Sequence, residues 1–185
     1  METKTKIIAI VGKSGSGKDT LCNGLCARYK GFNKIVQNST RPKRSYEVDG
    51  KDYNFLTKKE FRKEIYLEKS NFNHWRYGTP LTSIEEGQLN VGVFSPKTIR
   101  QLRRKAKKFD YGLDIFFLDR DNRRRLLSQL SRDDLVDVKE VIRRYRTDEK
   151  DFKNFKIKFN PVCTFVQEDL SFIADFIASY YELKE

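Results

Sequence analysis

The sequence has few of the residues that build disulfide frameworks and metal centres. It contains three cysteines, Cys22, Cys26 and Cys163, and a single histidine among 185 residues. An odd, sparse set of cysteines does not make a disulfide framework and favours a reducing compartment. Cys22 and Cys26 lie four apart on a predicted helix, but no third ligand stands nearby. We therefore interpret them as buried thiols rather than as a metal pair.

Long apolar segments are also missing. No run of about 18 apolar residues occurs, so we predict no transmembrane span and no membrane partner. Residues 1–4 lead directly into a strand-like segment, without the apolar core and cleavage site of a signal peptide. Together with the sparse cysteines, these absences predict a cytoplasmic protein.

Positive charge is what the sequence has in excess. The formal net charge is +12, and 35% of the residues are charged. A field of this sign suits anionic partners. Two interpretations follow, a pocket for phosphorylated small molecules or a nucleic-acid surface, and charge alone does not separate them.

Strand-like and helix-like segments alternate along most of the chain. Predicted strands cover residues 6–12, 35–36, 91–94, 113–118 and 155–159, and predicted helices cover residues 17–30, 96–108, 121–146 and 170–183. Such alternation predicts an α/β domain with a five-stranded parallel sheet flanked by helices. Residues 39–90 interrupt it, and there we predict a small sheet and a short helix near residues 58–68.

A glycine-rich loop joins the first predicted strand to the first predicted helix. Residues 12–18 fit G-x-x-x-x-G-K, and this context favours a phosphate loop, and so a P-loop NTPase fold, over an ordinary glycine turn. Glycines let consecutive N–H groups point at phosphate oxygens, and Lys18 adds a full charge. The residues we predict to bind ATP here are Gly12, Ser14, Gly15, Ser16, Gly17, Lys18, Asp19 and Thr20.

A second basic and aromatic group follows in the interrupting segment. Arg41 and Arg44 lie three apart beside a turn, so both guanidinium groups could bind one phosphate. Tyr53 and Tyr77 could supply hydroxyl donors. The alternative interpretation is a solvated basic hairpin with aromatic rings packed beneath it.

At these residues the sequence closely resembles the guanylate kinase family. The phosphate loop, T-R-x-x-R, E-V-D-G-x-D-Y-x-F and Y-G-T occur in the order of that family and near its spacing. The resemblance implies that Arg41, Arg44, Tyr53 and Tyr77 hold the phosphate of GMP. It also implies that Glu68 reads the guanine, and Thr79 of the Y-G-T motif joins the same substrate site.

The role implied for Glu68 agrees with the chemistry of guanine. Guanine presents two adjacent donors, N1–H and the N2 amino group, and a carboxylate accepts both at once. Adenine would present a bare acceptor to the same carboxylate, so discrimination could reach a few kcal/mol. The alternative is that Glu68 is an ordinary exposed glutamate at a helix end.

Four positions depart from the family pattern. Gln37 stands where the family has a serine that donates to guanine, and Tyr46 replaces a glycine. Residues 91–95 replace a strand that carries acidic residues in the family, and Asp19 replaces the hydroxyl residue that contacts Mg²⁺. We hypothesise that Asp19 anchors magnesium instead, directly or through water. The alternative is a first-turn aspartate stabilised by the helix dipole.

The family resemblance also implies a lid of arginines that closes over the transferring phosphate. Arg132 and Arg144 are our choices within residues 121–146, with Arg143 nearly as good. Asn160, placed after the last predicted strand, matches an asparagine near the adenine, and a simple turn role is the alternative.

We divide a single domain, residues 1–185, into a core (1–38, 91–120 and 147–185), an acceptor-binding insertion (39–90) and a lid (121–146).

These observations predict an ATP- and Mg²⁺-dependent kinase of a nucleoside monophosphate, with GMP or dGMP as acceptor. Lys18, Arg41, Arg132 and Arg144 are the predicted catalytic residues. Similar G-K-D loops in some deoxynucleoside monophosphate kinases keep a broader deoxynucleotide specificity open. A non-catalytic interaction module and a kinase of nucleic-acid ends are further alternatives. Because of the monophosphate motif, we expect a small-molecule substrate rather than nucleic acid, and a monomer or homodimer.

Overall fold

The computed structural model describes residues 4–45, 47–131, 137–166 and 169–183. Its strands are β1 Lys6–Gly12, β2 Phe32–Lys34, β3 Asn38–Ser39, β4 Asn54–Phe55, β5 Tyr66–Phe72, β6 Trp75–Pro80, β7 Leu89–Phe94, β8 Gly112–Leu118 and β9 Cys163–Phe165. Its helices are α1 Lys18–Arg28, α2 Lys58–Lys63, α3 Ile99–Lys108, α4 Asn122–Leu130, α5 Val138–Asp151, α6 Phe155–Phe159 and α7 Leu170–Tyr180, and a 3₁₀ turn covers Leu81–Ser83. None of these helices is long and apolar enough to cross a membrane.

Five strands form a parallel sheet in the order β2-β7-β1-β8-β9. The apolar run of β1 lies inside it, and Ile7, Ile8, Ala9, Ile10 and Val11 are fully buried. A strand buried on both faces needs such a continuous apolar run. The predicted α/β class, with helices flanking a five-stranded parallel sheet, is confirmed.

The segment predicted as the last strand is the short helix α6. Its sequence, F-K-I-K-F, alternates apolar and basic residues, which is typical of a strand. Phe155 and Phe159 are nevertheless both buried, while Ile157 between them is 85% exposed. Residues four apart share a helix face and residues two apart do not, so the packing selects a helix. The last strand is β9, which comes later in the chain.

The strand predicted at residues 35–36 is also displaced. Ile35 and Val36 lie in the link between β2 and β3, and β2 pairs in parallel with β7. The Ile35 N–H still donates to the Val91 carbonyl at 2.8 Å, and Ile35 is buried. The apolar pair therefore marks a buried segment next to the strand rather than the strand itself.

A second, four-stranded sheet has the order β4-β3-β6-β5. β5 and β6 form an antiparallel hairpin, and β3 pairs with β6 on the other side. Helix α2 begins with a capping box between Thr57 and Glu60 and ends at Lys63, earlier than predicted. Glu68 consequently lies on strand β5 and not at a helix end.

By its internal contacts the chain divides into two compact units. The first comprises residues 1–8, 32–92 and 97–113, and it contains the four-stranded sheet with α2 and α3. The second comprises residues 9–31, 93–96 and 114–185, and it contains the glycine-rich loop with α1 and α4 to α7. The region predicted as one basic helix, 121–146, contains α4 and the first part of α5, and residues 132–136 lie outside the described part.

Candidate active site

The glycine-rich loop joins β1 to α1 and has the backbone that its glycines predict. Gly15 and Gly17 have positive φ angles of 79° and 89°, a region that L side chains rarely adopt. A Cβ at Gly12 would lie 2.6 Å from Ser16 Oγ and 2.8 Å from the Leu118 carbonyl oxygen. The loop therefore keeps its shape only with glycine at these positions.

Lys18 opens helix α1 and turns back across the loop. Its ammonium donates to the Lys13 carbonyl at 3.0 Å and lies 3.5 Å from Ser16 Oγ. Asp19 and Thr20 follow in the first turn and are exposed. The described residues contain no group of three His, Cys, Asp or Glu side chains that could hold a metal ion, and the magnesium role of Asp19 stays a prediction.

A buried arginine on α4, which no motif in the sequence marks, supports the loop. Arg125 is fully buried, and its Nη1 donates to the Ser14 carbonyl at 3.0 Å. Asp148 on α5 accepts from the Ser14 N–H at 2.7 Å and lies 3.4 Å from the same Nη1. Glu149 pairs with Lys13 at 2.6 Å. Arg125 stands in the run Arg123-Arg124-Arg125, and its two neighbours are exposed. The one sequence signal that sets it apart is Gln129, four residues later on the same helix face, which is also buried.

Of the predicted lid arginines, Arg132 lies outside the described residues. Arg144 Nε donates to Glu140 at 2.7 Å, and Arg143 Nε donates to the same carboxylate at 2.6 Å. The hydrogen bond from Arg143, with that from Arg144, lowers the pKa of Glu140 to about 2 although partial burial opposes this. Both arginines are thus held on α5 by one carboxylate.

Asn160 lies before the last strand and not after it as predicted. It ends helix α6 in the left-handed conformation, with φ of 44°, and its side chain is exposed. Asparagine tolerates this conformation better than most residues, so the turn alternative has a physical basis here.

The four residues predicted to hold the acceptor phosphate lie around Glu47 and its neighbours. Arg41 forms a two-pronged ion pair with Glu47, and its guanidinium lies 5.0 Å from the Tyr53 ring centroid. The rings of Tyr53 and Tyr77 meet edge to face at 6.1 Å. Arg44 is half-exposed and lies 3.9 Å from Glu47, and its backbone N–H donates to that carboxylate. The structure therefore brings Arg41, Arg44, Tyr53 and Tyr77 together.

Glu47 is the residue of this group that sequence reasoning missed, although it opens the E-V-D-G motif. It is buried, which alone would raise its pKa, but the hydrogen bonds from Arg41 and the Arg44 N–H outweigh burial and lower the pKa overall. The same hydrogen bond raises the pKa of Arg41. The pair stays ionised, and Glu47 fixes the plane of the Arg41 guanidinium.

Glu68 is the centre of a second group on the same four-stranded sheet. It is 4% exposed, and the Thr79 hydroxyl donates to its Oε1 at 2.8 Å. The amide of Gln37 lies 3.3 Å from the same oxygen and 3.1 Å from Thr79 Oγ1. Burial raises the pKa of Glu68, and hydrogen bonds from Thr79 and Thr98 oppose the rise. Thr98, the residue before α3, was not predicted, since nothing in the sequence links it to residue 68.

A buried strand of the parallel sheet leads into a loop with two left-handed glycines, and a helix that begins with lysine follows. This arrangement defines a P-loop nucleotide-binding protein. Comparisons with known proteins narrow this class. A family model described as guanylate kinase matches residues 4–105. The guanylate kinase of Caldanaerobacter subterraneus subsp. tengcongensis is 31% identical over 164 residues, which is 84% of this chain and 77% of that protein. The guanylate kinase of Prochlorococcus marinus is 31% identical over 132 residues, or 65% and 68% of the two chains.

The fold comparison agrees with these sequence matches. The crystal structure of guanylate kinase from Anaplasma phagocytophilum matches with a TM-score of 0.64 at 18% identity, covering 98% of this chain and 86% of that one. The chain belongs to the guanylate kinase family. It is accordingly a nucleoside monophosphate kinase, a phosphotransferase with ATP as phosphate donor.

Proposed function

We propose that the chain transfers the γ-phosphate of ATP to GMP or dGMP and forms the nucleoside diphosphate. The observation that carries the proposal is Glu68, a buried carboxylate surrounded by hydrogen-bond donors, on the same sheet as Tyr77 of the group around Arg41. Such a carboxylate is costly to bury unless a ligand or neighbours satisfy it. A guanine base presents the two adjacent donors that a carboxylate accepts.

The two groups are spaced as the two ends of a nucleotide require. Tyr77 and Thr79 are two residues apart on β6, so they share a face and lie about 7 Å apart along the strand. Tyr77 belongs to the arginine group and Thr79 to the Glu68 group. A nucleoside monophosphate lying along this strand would place its phosphate near Arg41, Arg44, Tyr53 and Tyr77, and its base near Glu68.

The group around Glu68 also has a donor for guanine O6, the acceptor next to N1–H. The Gln37 amide already reaches Glu68 and Thr79, so a small rotation would let it donate to guanine O6. An amide is longer than the serine of the family pattern and can also accept. Together with the G-K-D sequence of the phosphate loop, this favours the second candidate, a deoxynucleoside monophosphate kinase of broader base specificity.

In-line transfer requires the γ-phosphate of ATP, held at Lys18, to come within bonding reach of the acceptor phosphate, held by the Arg41 group. An oxygen of the acceptor phosphate attacks the γ-phosphorus in line, a new O–P bond forms, and the bond to the β-phosphate oxygen breaks as ADP leaves. Loop N–H groups and Lys18 offset the charge of the donor, and Arg41 offsets that of the acceptor. Magnesium, held in part by Asp19, would neutralise phosphate charge when bound with ATP.

Further parts of the proposal come from the sequence pattern. Arg144, with Arg132, would close over the phosphates as part of a lid at residues 121–146, and Asn160 would lie near the adenine. Residues 39–90 would form the acceptor-binding insertion. We also propose a cytoplasmic location and a monomer or homodimer.

A panel of acceptors tests the function directly. Purified protein with ATP and Mg²⁺ is assayed for ADP formation against the four common ribonucleoside and four deoxynucleoside monophosphates. We expect kcat/KM for GMP or dGMP to exceed that for AMP by at least about a hundredfold, which corresponds to a few kcal/mol. Equal use of adenine and guanine acceptors, or no turnover with any, would contradict the proposal.

A linked nucleotide tests the arrangement of the two sites. Adenosine and guanosine joined through five phosphates can occupy the donor and acceptor sites together only if these face each other. We expect it to bind at least about a hundredfold more tightly than ATP or GMP, because one molecule gains both sets of contacts. Affinity no better than that of ATP would show that the sites do not share a cleft. A Lys18→Met variant serves as the control that removes the donor charge.

A further inference from the structure

Helix α3 carries charge of a single sign. Between Lys97 and Lys108, seven of the twelve residues are lysine or arginine and none is acidic. Ile99, Leu102 and Ala106 form its buried side. The helical period places the exposed residues Arg100, Arg104, Lys107 and Lys108 on the opposite side. We call these four residues the α3 basic face.

Stability of the helix does not account for this face. Arg100 and Arg104, and also Arg104 and Lys108, are like-charged pairs at a spacing of four, and each such pair costs about 0.2–0.5 kcal/mol. Basic residues in the last turn gain from the helix dipole, but Arg100 stands in the first turn, where the dipole disfavours a cation. The face therefore carries a small electrostatic cost that an anionic partner would relieve.

Several other basic residues of the chain are paired with acidic residues within it. On α5, Arg143 and Arg144 share the carboxylate of Glu140, and on α1 Arg28 pairs with Asp175. Within the part of the chain that the structure describes, the four residues of the α3 basic face have no such ion pair. Their charges are open to an external ligand.

We propose that the α3 basic face binds the phosphate backbone of nucleic acid, independently of the kinase site. From Arg100 to Lys108 the face extends over about 12 Å, and successive charges stand about 6 Å apart, one helical turn. One phosphate group does not span that length, whereas a strand of linked phosphates does. An anionic membrane is the less suitable occupant, because interfacial helices need apolar side chains at the surface and those of α3 are buried. The monophosphate motif disfavours nucleic acid as the acceptor of phosphate, and the α3 basic face is a different site.

On a strand of linked phosphates, the arginine and lysine charges of this face would contact the backbone. Contacts with phosphates position a protein on a strand without sequence preference. Four contacts to a single strand predict that log Kd rises with log salt with a slope of about 3.

The test measures fluorescence anisotropy of labelled single-stranded and duplex DNA of about 20 nucleotides between about 25 and 200 mM KCl. One variant combines Arg100→Gln, Lys107→Gln and Lys108→Gln. The matched control combines Arg62→Gln, Lys58→Gln and Lys59→Gln on the exposed side of α2, so both lose the same charge. We expect the α3 variant to bind at least about tenfold more weakly, with a shallower salt slope, and the control to bind nearly as the parent protein does.

Several results would overturn the proposal. Equal weakening in the two variants would show that net charge, and not this face, carries the binding. The absence of binding at low salt would reject it outright. Equal affinity for polyglutamate or for vesicles of anionic lipid would assign the face to another class of partner. A fall in kcat/KM for the kinase reaction without loss of DNA binding would show that the face steers nucleotides.

Discussion

The guanidinium of Arg125 donates to the carbonyl of Ser14, so a buried cation on α4 holds the third residue of the phosphate loop. Asp148 on α5 binds the N–H of the same residue. The loop is therefore fixed on both sides of one residue, Ser14, by helices α4 and α5. Rigid placement of the loop matters because its N–H groups must already point at the phosphates when ATP arrives.

Removing Arg125 should damage both stability and ATP binding. In Arg125→Ala the carboxylate of Asp148 loses its buried partner, and breaking such a pair costs about 3–5 kcal/mol. We expect a lower midpoint of urea denaturation and, in the protein that remains folded, a KM for ATP raised by about tenfold or more. The acceptor KM should change little.

Two further variants serve as controls for Arg125→Ala. Arg123→Ala removes an exposed arginine of the same helix and should change the unfolding free energy by no more than about 0.5 kcal/mol. Arg125→Lys keeps the charge but not the fork, so it should recover stability in part and leave KM for ATP raised. A KM for ATP equal to that of the parent in Arg125→Ala would show that the contact serves folding alone.

Glu47 should support binding of the acceptor by positioning Arg41, as Arg125 supports binding of ATP by positioning the phosphate loop. Glu47→Gln keeps the size of the side chain but replaces its two-pronged ion pair with Arg41 by a hydrogen bond from the guanidinium to an uncharged amide oxygen. The Arg41 guanidinium then loses its fixed plane, so we expect KM for the acceptor to rise about tenfold while KM for ATP stays constant. Steady-state kinetics with each substrate varied in turn measures both. Glu64→Gln, an exposed site in the same unit, is the control, and an unchanged acceptor KM in Glu47→Gln would refute the role.

The sequence predicted the core strands better than the segments between them. β1 is a long apolar run ended by glycine, and no other local structure competes for it. At residues 155–159 the alternation of phenylalanine and lysine fits a strand, and only the ring cluster around Phe155 decides for a helix. That cluster joins residues far apart in the chain, so no local pattern contains it.

The same distinction applies to the candidate site. Lys18, Arg41 and Tyr77 stand in motifs, and motifs carry their own spacing. Arg125 contacts Ser14, which lies 111 positions earlier, and Thr98 contacts Glu68 on strand β5; nothing near either residue in the sequence marks these contacts. Within residues 121–146, an exposed arginine and a buried one such as Arg125 have the same sequence signature, so charge alone does not separate them.

The ionised carboxylate of Glu68 should lower the free energy of unfolding at neutral pH. Burial raises its pKa, so the folded chain binds this proton more tightly than the unfolded chain does. The charged carboxylate is therefore unfavourable above the raised pKa, and the cost vanishes as the pH falls below the ordinary value of 4.5 for glutamate. Glu68→Gln should be more stable than the parent protein at pH near 7, and the gap should close toward pH 4.5.

Urea denaturation over this pH range measures the gap, and the acceptor panel measures the loss of guanine discrimination. Glu86→Gln, at an exposed carboxylate of the same unit, should show no such pH-dependent gain. A Glu68→Gln variant that is less stable than the parent at every pH would mean that the hydrogen bonds from Thr79 and Thr98 outweigh burial.

The helix at residues 155–159 makes a prediction that separates it from a strand. Phe155 packs on Phe117 at 4.8 Å and on Phe159 at 4.9 Å between ring centroids, so Phe155→Ala should lower the unfolding free energy by about 3–5 kcal/mol. Ile157 points to solvent, and Ile157→Ala should change it by less than about 0.5 kcal/mol, since alanine also favours the helix. In a strand, residues 155, 157 and 159 would share one face and all three would be costly to truncate. Comparable losses of unfolding free energy for Phe155→Ala and Ile157→Ala, measured by urea denaturation, would therefore indicate a strand at residues 155–159 and not a helix.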